Sequence, residues 1–217
     1  KETKDQKSDF CLGLRNFFDI ADYITVNISS PNTKGLRDFH DQKKLDDLLF
    51  TINKVKKEKK TSVSILLKVS PDIEDSHIKE ISDLAVKYSI SGVILTNTSN
   101  SNRKNLISDS KKEDGGLSGE PLQEISTNLI KKFYQSLNGK IPIIGVGGIN
   151  SGKSAYEKIV AGAALLQLYT GLVYKGPSIV KDIKKELIQI LKEEGLNNIQ
   201  EAIGKNVWLS KISQKRK

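Results

Sequence analysis

Methionine is absent from this sequence at every position, the first included. The expectation is a processed or partial polypeptide, with further coding sequence upstream. Cysteine occurs once, at Cys11, which excludes an internal disulfide and a cysteine metal cluster. His40 and His77 are the only histidines, so a histidine-rich metal site is excluded too. No apolar run approaches the ~18 residues that mark a membrane-spanning helix. Arginine is scarce: Arg15, Arg37, Arg103 and Arg216 are the only four among 35 basic residues. A nucleic-acid reader more typically uses arginine forks interleaved with aromatics, and no nucleic-acid partner is expected. The net charge of +9 reads instead as solvated, lysine-rich helix faces, in stretches such as 54–60 and 181–194. It is compatible with weak attraction to an anionic membrane surface.

What is present is an alternation. Residues 23–28, 63–69, 92–95, 141–146 and 164–169 are short, nearly continuous apolar runs rich in Val, Ile and Leu. Such runs suit strands of a parallel sheet buried on both faces. Between them, apolar residues step at three and four. Examples are Leu45, Leu48, Leu49, Ile52 and Val55, then Ile78, Ile81, Leu84 and Ala85, then Ile179, Ile183, Leu187, Ile190 and Leu191. Strand followed by helix, repeated, predicts an α/β fold. Each unit takes about 35 residues, and a closed (β/α)₈ barrel needs roughly 280. The five units here are therefore expected to be part of a barrel, with an open five-stranded sheet as the alternative. Residues 1–10 are polar and predict a loop. Residues 99–116 form a long polar excursion of the kind that serves as a lid or a binding loop.

Polar residues gather where each apolar run ends. Asn27 and Ser30-Pro31-Asn32 follow the first, Ser70-Pro71-Asp72 the second, Thr96-Asn97-Thr98 the third, Gly147-Gly148 the fourth and Tyr169-Thr170 the fifth. Functional groups at the C-terminal ends of parallel strands are the pattern of α/β active sites. Gly147-Gly148 running into a helix start at Ser151 reads as an anion site, because helix N-termini present free N–H groups. Tyr169-Thr170 follows on the next strand, so two neighbouring loops are placed to share one phosphate. Lys68 interrupts an apolar strand, where an unpaired ammonium is costly, and it calls for an anionic partner. The asparagines offer donors and acceptors together and suit a small planar heterocycle.

The string Asn27-Ile28-Ser29-Ser30-Pro31-Asn32-Thr33-Lys34-Gly35-Leu36-Arg37 resembles the signature of class 2, quinone-dependent dihydroorotate dehydrogenases. Five further motifs follow in that family's order. They are Leu67-Lys68-Val69-Ser70-Pro71-Asp72, Thr96-Asn97-Thr98, Gly115-Gly116-Leu117-Ser118-Gly119, Val146-Gly147-Gly148-Ile149 and Gln167-Leu168-Tyr169-Thr170. The resemblance implies an FMN-binding (β/α)₈ TIM barrel of which about the last five βα units, strands four to eight, occupy residues 1–205. Residues 206–217 would form a basic C-terminal tail around Trp208, Leu209 and Ile212. It implies oxidation of (S)-dihydroorotate to orotate in pyrimidine biosynthesis, with hydride passing to FMN and electrons then to a quinone. Ser30 would be the catalytic base, and a serine there, where class 1 enzymes carry cysteine, assigns the class. Asn27, Asn32, Asn97 and Thr98 match substrate-binding positions. Asn27, Lys68, Thr96, Gly119, Gly148, Tyr169 and Thr170 match FMN-binding positions. No metal is implied. The resemblance further implies a monomer that sits peripherally on the inner membrane, on the cytoplasmic side if bacterial, through an N-terminal region outside this sequence. The alternative is another FMN barrel, such as a dihydrouridine synthase acting on tRNA. That chemistry uses a cysteine, and Cys11 stands ahead of the first strand, in the wrong place. The 217-residue chain alone is expected to be inactive, because an incompletely closed barrel leaves strand edges unpaired; robust turnover by that chain would refute this.

Overall fold

The computed structural model describes residues 5–101, 103, 104 and 106–207. The tail residues Trp208, Leu209 and Ile212, with their basic neighbours, lie outside the described residues. Five strands form one parallel sheet in sequence order: β1 (Tyr23–Asn27), β2 (Ser64–Val69), β3 (Gly92–Leu95), β4 (Ile143–Val146) and β5 (Ala163–Gln167). The apolar runs read from the sequence coincide with these strands to within two residues at each end. Helices follow them: α2 (Gln42–Glu58), α3 (Asp75–Lys87), α4 (Gln123–Leu137), α5 (Gly152–Ala161), α6 (Thr170–Lys175) and α7 (Ile179–Glu193).

The N-terminal stretch departs from expectation. Gln6–Phe17 form a helix, α1, where polar composition predicted a loop. Asp5 caps it by accepting from the Ser8 N–H at 3.1 Å. Its few apolar residues are spaced to share a face: Leu14 is buried in the main core, and Phe10 packs edge-on against Phe39 with ring centroids 5.9 Å apart. Polar composition hid a narrow apolar stripe.

The alternation of side chains along the strands decides where everything else sits. On one face Ile65, Leu67, Val69, Val93, Leu95 and Ile143 join the helix-covered core. That core includes Leu45, Leu48, Leu49 and Ile52 of α2, Ile81 of α3, and Ile130 and Phe133 of α4. On the other face Leu66, Ile94 and Ile144 make a small separate apolar cluster, with Val146 packed beside it. Lys68 lies two residues beyond Leu66 and therefore shares this second face. In the parallel register Lys68 is paired with Asn27 on one side and Ile94 on the other. The second face is thus an apolar floor that turns polar at its C-terminal rim. Among the described residues β1 and β5 each pair on one side only, and Tyr23 and Leu165 on them are exposed.

Asp41 caps α2, accepting from the N–H groups of Lys43 and Lys44. The periodic residues predicted to face inward on α2 and α3 are all buried. On α7 only Ile179 and Ile183 are buried; Leu187 and Leu191 pack against the small cluster between α5 and α7, and the outer side of α7 faces solvent. No helix among the described residues is long and apolar enough to cross a membrane.

Candidate active site

The C-terminal rim of the sheet opens on a cavity of about 990 Å³. Its walls include Lys68, Thr96, Asn97, Thr98, Gly119, Gly148, Tyr169 and Thr170. Those residues come from four strands and the loop that leads into α4, so most of the positions singled out from the sequence meet in one place. Asn27, Ser30 and Asn32 are not in the cavity wall. Asn27 joins it through Asn97, whose side-chain amide donates to Asn27 Oδ1 at 3.0 Å.

At the centre of this rim stands a residue that the sequence reading passed over. Ser29 is fully buried. Its hydroxyl lies 2.8 Å from the Lys68 carbonyl and 3.0 Å from Asn27 Oδ1, and it accepts from Asn97 Nδ2 at 3.0 Å. Asn97 Oδ1 in turn accepts from the Thr98 N–H at 2.8 Å. Both asparagine side chains are thereby held in one orientation across three strands. Ser30 is half-buried, and its Oγ accepts from the Asn32 N–H at 3.3 Å. Asn32 itself is exposed. Thr96 is buried, and its hydroxyl donates to the Asn97 carbonyl at 2.9 Å.

Lys68 projects from the apolar face with no hydrogen-bond or ion-pair partner for Nζ among the described residues. Burial alone lowers its pKa from the ordinary lysine value. The ammonium is therefore available to an anionic or electron-rich ligand.

Two glycines make room for backbone approach. Gly148 has φ of +73°, and a Cβ there would stand 2.5 Å from Gln123 Cβ. Gly119 has φ of +81°, and a Cβ there would stand 2.9 Å from Thr170 Cγ2. Thr170 donates from its hydroxyl to Ser118 Oγ at 2.9 Å, which ties the loop before α4 to the start of α6. Tyr169 is largely exposed.

The anion-site expectation needs a correction in detail. Two first-turn donors of α5 are engaged: Ser154 N–H by the Ser151 hydroxyl at 3.2 Å, and Gly152 N–H by Glu186 of α7 at 2.5 Å. The N–H groups of Asn150 and Ser151 both donate to Ser154 Oγ at 3.0 Å. A capping box and a distant carboxylate have taken the groups that helix-end logic assigned to a ligand. What faces the cavity is the backbone at Gly147, Gly148, Ile149 and Asn150, ahead of the helix.

Behind that turn lies a second unforeseen residue. Lys158 on α5 is fully buried, and its Nζ donates to Thr127 Oγ1 at 3.1 Å and to the Gln123 carbonyl at 3.3 Å. Burial, only partly offset by the Glu157 carboxylate, pushes its pKa down to about 8. Gln123 thus has the glycine turn against one side and this ammonium on its carbonyl. Cys11, by contrast, is half-buried in α1, and burial pushes its thiol pKa up, away from the range of an activated nucleophile. The 99–116 excursion borders the cavity through Arg103, Leu106, Ile107 and Ser108, and it closes on itself through Arg103, which donates to the carbonyls of Lys111, Glu113 and Gly115.

The chain matches known proteins over most of its length. A family model described as dihydroorotate dehydrogenase matches residues 1–191. The chain is 44% identical over 208 residues to a dihydroorotate dehydrogenase (quinone) of Bartonella tribocorum, covering 93% of this chain and 57% of that protein. It is 42% identical over 209 residues to the mitochondrial dihydroorotate dehydrogenase (quinone) of Mus musculus, covering 94% of this chain and 52% of that one. Among solved structures, DHODH from Eimeria tenella in complex with ferulenol superposes with a TM-score of 0.88 at 34% identity, over 92% of this chain and 58% of that chain. The ligand-free form of the Eimeria tenella protein gives a TM-score of 0.89 over 94% of this chain and 61% of that chain. The chain spans about half the length of the curated relatives it matches.

Lys158 generates a prediction whose sign is fixed. An unfolded lysine keeps its proton to about pH 10.5, whereas the folded one releases it near 8. Between those values the unfolded chain binds more protons, so stability rises as pH climbs through that window. The full rise is on the order of 3 kcal/mol. Urea unfolding at about pH 7.5 and about pH 10 should show this gain in the wild type and not in Lys158→Met. Equal pH responses in the two proteins would contradict the assignment.

Proposed function

This chain belongs to the dihydroorotate dehydrogenase family, and from that membership we propose that the protein oxidises (S)-dihydroorotate to orotate, with FMN as the bound cofactor and a quinone as the final electron acceptor. The observation that carries the reading is the convergence of Asn27, Lys68 and Asn97 at one rim above an apolar floor, with Ser30 three residues beyond Asn27.

The residues suit an FMN group. The cavity is large enough, Gly119 and Gly148 line it without side chains, and the Lys68 ammonium has no hydrogen-bond or ion-pair partner among the described residues. FMN supplies the hydride acceptor of the reaction when bound. Lys68 would supply positive charge to the bound group, and Asn27 and Thr96 would help to hold its polar edge. The backbone at Gly148, with Tyr169 and Thr170, would hold the phosphate. Gly119 lets the loop before α4 lie close against Thr170.

Asn32, Asn97 and Thr98 orient the pyrimidine. Asn97 reaches that task already locked by Asn27, Ser29 and its own Thr98 N–H, which lowers the ordering cost at binding. Ser30 takes the C5 proton. A serine hydroxyl is a weak base, so as it takes the C5 proton it passes its own proton on through water or a neighbouring group; the Asn32 N–H on its Oγ fixes the side chain's orientation. Oxidation of a saturated C5–C6 bond loses one proton and one hydride, so a base and a hydride acceptor on the same rim account for both. A peripheral position on the inner membrane, on the cytoplasmic side if bacterial, and a monomeric state complete the reading. The reading also gives residues 1–205 the role of barrel strands four to eight.

The test uses the protein as its gene encodes it. Purified without oxygen, it should show an oxidised flavin band that bleaches on adding dihydroorotate and returns on adding a quinone. Ser30→Ala should retain the flavin and slow the bleaching by about 10²–10⁴-fold, the usual contribution of a general base. A flavin band unmoved by dihydroorotate would sink the substrate assignment, and bleaching at the wild-type rate in Ser30→Ala would sink the base.

A further inference from the structure

The geometry points to Arg37 and Asp72 as a positioning pair that locks together three strand-end loops: the one carrying Ser30, the one carrying Asp72 itself, and the one carrying Asn97 and Thr98. This inference rests on the function proposed above and extends it to residues outside the cavity.

Arg37 Nη1 lies 3.0 Å from Asp72 Oδ2, with the two side chains 27% and 12% exposed. The other ion pairs among the described residues join side chains that are 32–78% exposed, where such contacts contribute little. This half-buried pair is also saturated with further bonds. Arg37 Nε donates to the Ser29 carbonyl at 3.4 Å, and Nη2 donates to the Thr98 carbonyl at 3.2 Å. Asp72 Oδ1 accepts from the Ser99 hydroxyl at 2.5 Å, and Oδ2 accepts from the Asn100 N–H at 2.9 Å. Asp72 is held in turn by its own N–H, which donates to Ser70 Oγ at 3.1 Å.

These bonds have a common target. The Ser29 carbonyl belongs to the peptide that joins Ser29 to Ser30. The Thr98 carbonyl and the Ser99 hydroxyl flank the peptide just past Asn97 and Thr98. One guanidinium therefore grips the loop after β1 and the loop after β3, while its carboxylate partner anchors both to the loop after β2. Neither side chain lines the cavity, and the polar groups of both are taken up by one another and by the strand-end loops. Their effect on the reaction runs through the placement of Ser30, Asn97 and Thr98. The planar fork of arginine serves three acceptors in fixed directions; the single ammonium of a lysine cannot reproduce that.

The experiment compares wild type with Arg37→Lys, Arg37→Met, Asp72→Asn and the double variant Arg37→Met with Asp72→Asn, each as flavin-loaded full-length protein. Three quantities are read: flavin bound per chain, the rate of flavin bleaching by saturating dihydroorotate, and amide hydrogen exchange in the peptides covering 29–33 and 97–101. The expected result is unchanged flavin content, bleaching slowed by about 10²-fold, the cost of a misplacement near 1 Å, and faster exchange in both peptides. Arg37→Lys should fold, keep its flavin and still fall short, and the double variant should be no slower than Arg37→Met. Bleaching within threefold of wild type in Arg37→Met and Arg37→Lys overturns the positioning role. So does flavin lost in step with rate in every variant, or rate losses that multiply in the double variant. A wild type whose flavin ignores dihydroorotate overturns the substrate reading and this role with it. A wild type that bleaches beside unaffected variants overturns this role alone.

Discussion

Parallel pairing in register is the constraint on which the rest of the structure depends. Each strand of a parallel sheet runs the same way, so all five C-terminal ends fall on one rim. Residues that are 70 apart in the chain, Asn27 and Asn97, then meet at 3.0 Å without any special folding of the loops between them. The same register sets Lys68 beside Asn27 and points both to the face opposite the helices. A slip of one residue on β2 would turn Lys68 into the core and Leu67 out to the cavity, which would lose the ammonium from its floor.

The rim resolves a conflict between two demands. Buried amides and hydroxyls need partners, and a binding site needs free ones. Here the groups divide. Asn27, Ser29 and Asn97 satisfy one another and become rigid. Lys68 is left without a partner among the described residues at the edge of the Leu66, Ile94 and Ile144 floor, and burial already works against its proton. An anionic or electron-rich group arriving there relieves that cost, so the binding energy is directed at the place where charge develops in the reaction.

The strands, the apolar faces of α2 and α3, and the convergence of polar residues at strand ends were legible because they follow from period and order alone. Apart from α1, the unread features depend on contacts distant in sequence. Ser29 looks like any turn serine until β2 and β3 close over it. The donors at the start of α5 look free until Glu186, 34 residues on, reaches Gly152. Lys158 has the sequence surroundings of a solvated lysine, and only the packing of α4 against α5 buries it. Arg37 and Asp72 are 35 residues apart and sit inside two motifs whose other members drew attention first. The helix α1 was missed for the opposite reason, since its signal is local but rests on few apolar residues.

The central claim is that one rim of this sheet binds the flavin and the pyrimidine together. A crystal structure of the protein as its gene encodes it, grown with FMN and orotate, tests that most directly. The account predicts the flavin ring against Lys68, the phosphate at Gly148 and Thr170, and orotate between the ring and Asn97 with Ser30 facing C5. Flavin or orotate bound away from the cavity walls, or Lys68 turned from the ring, would contradict it.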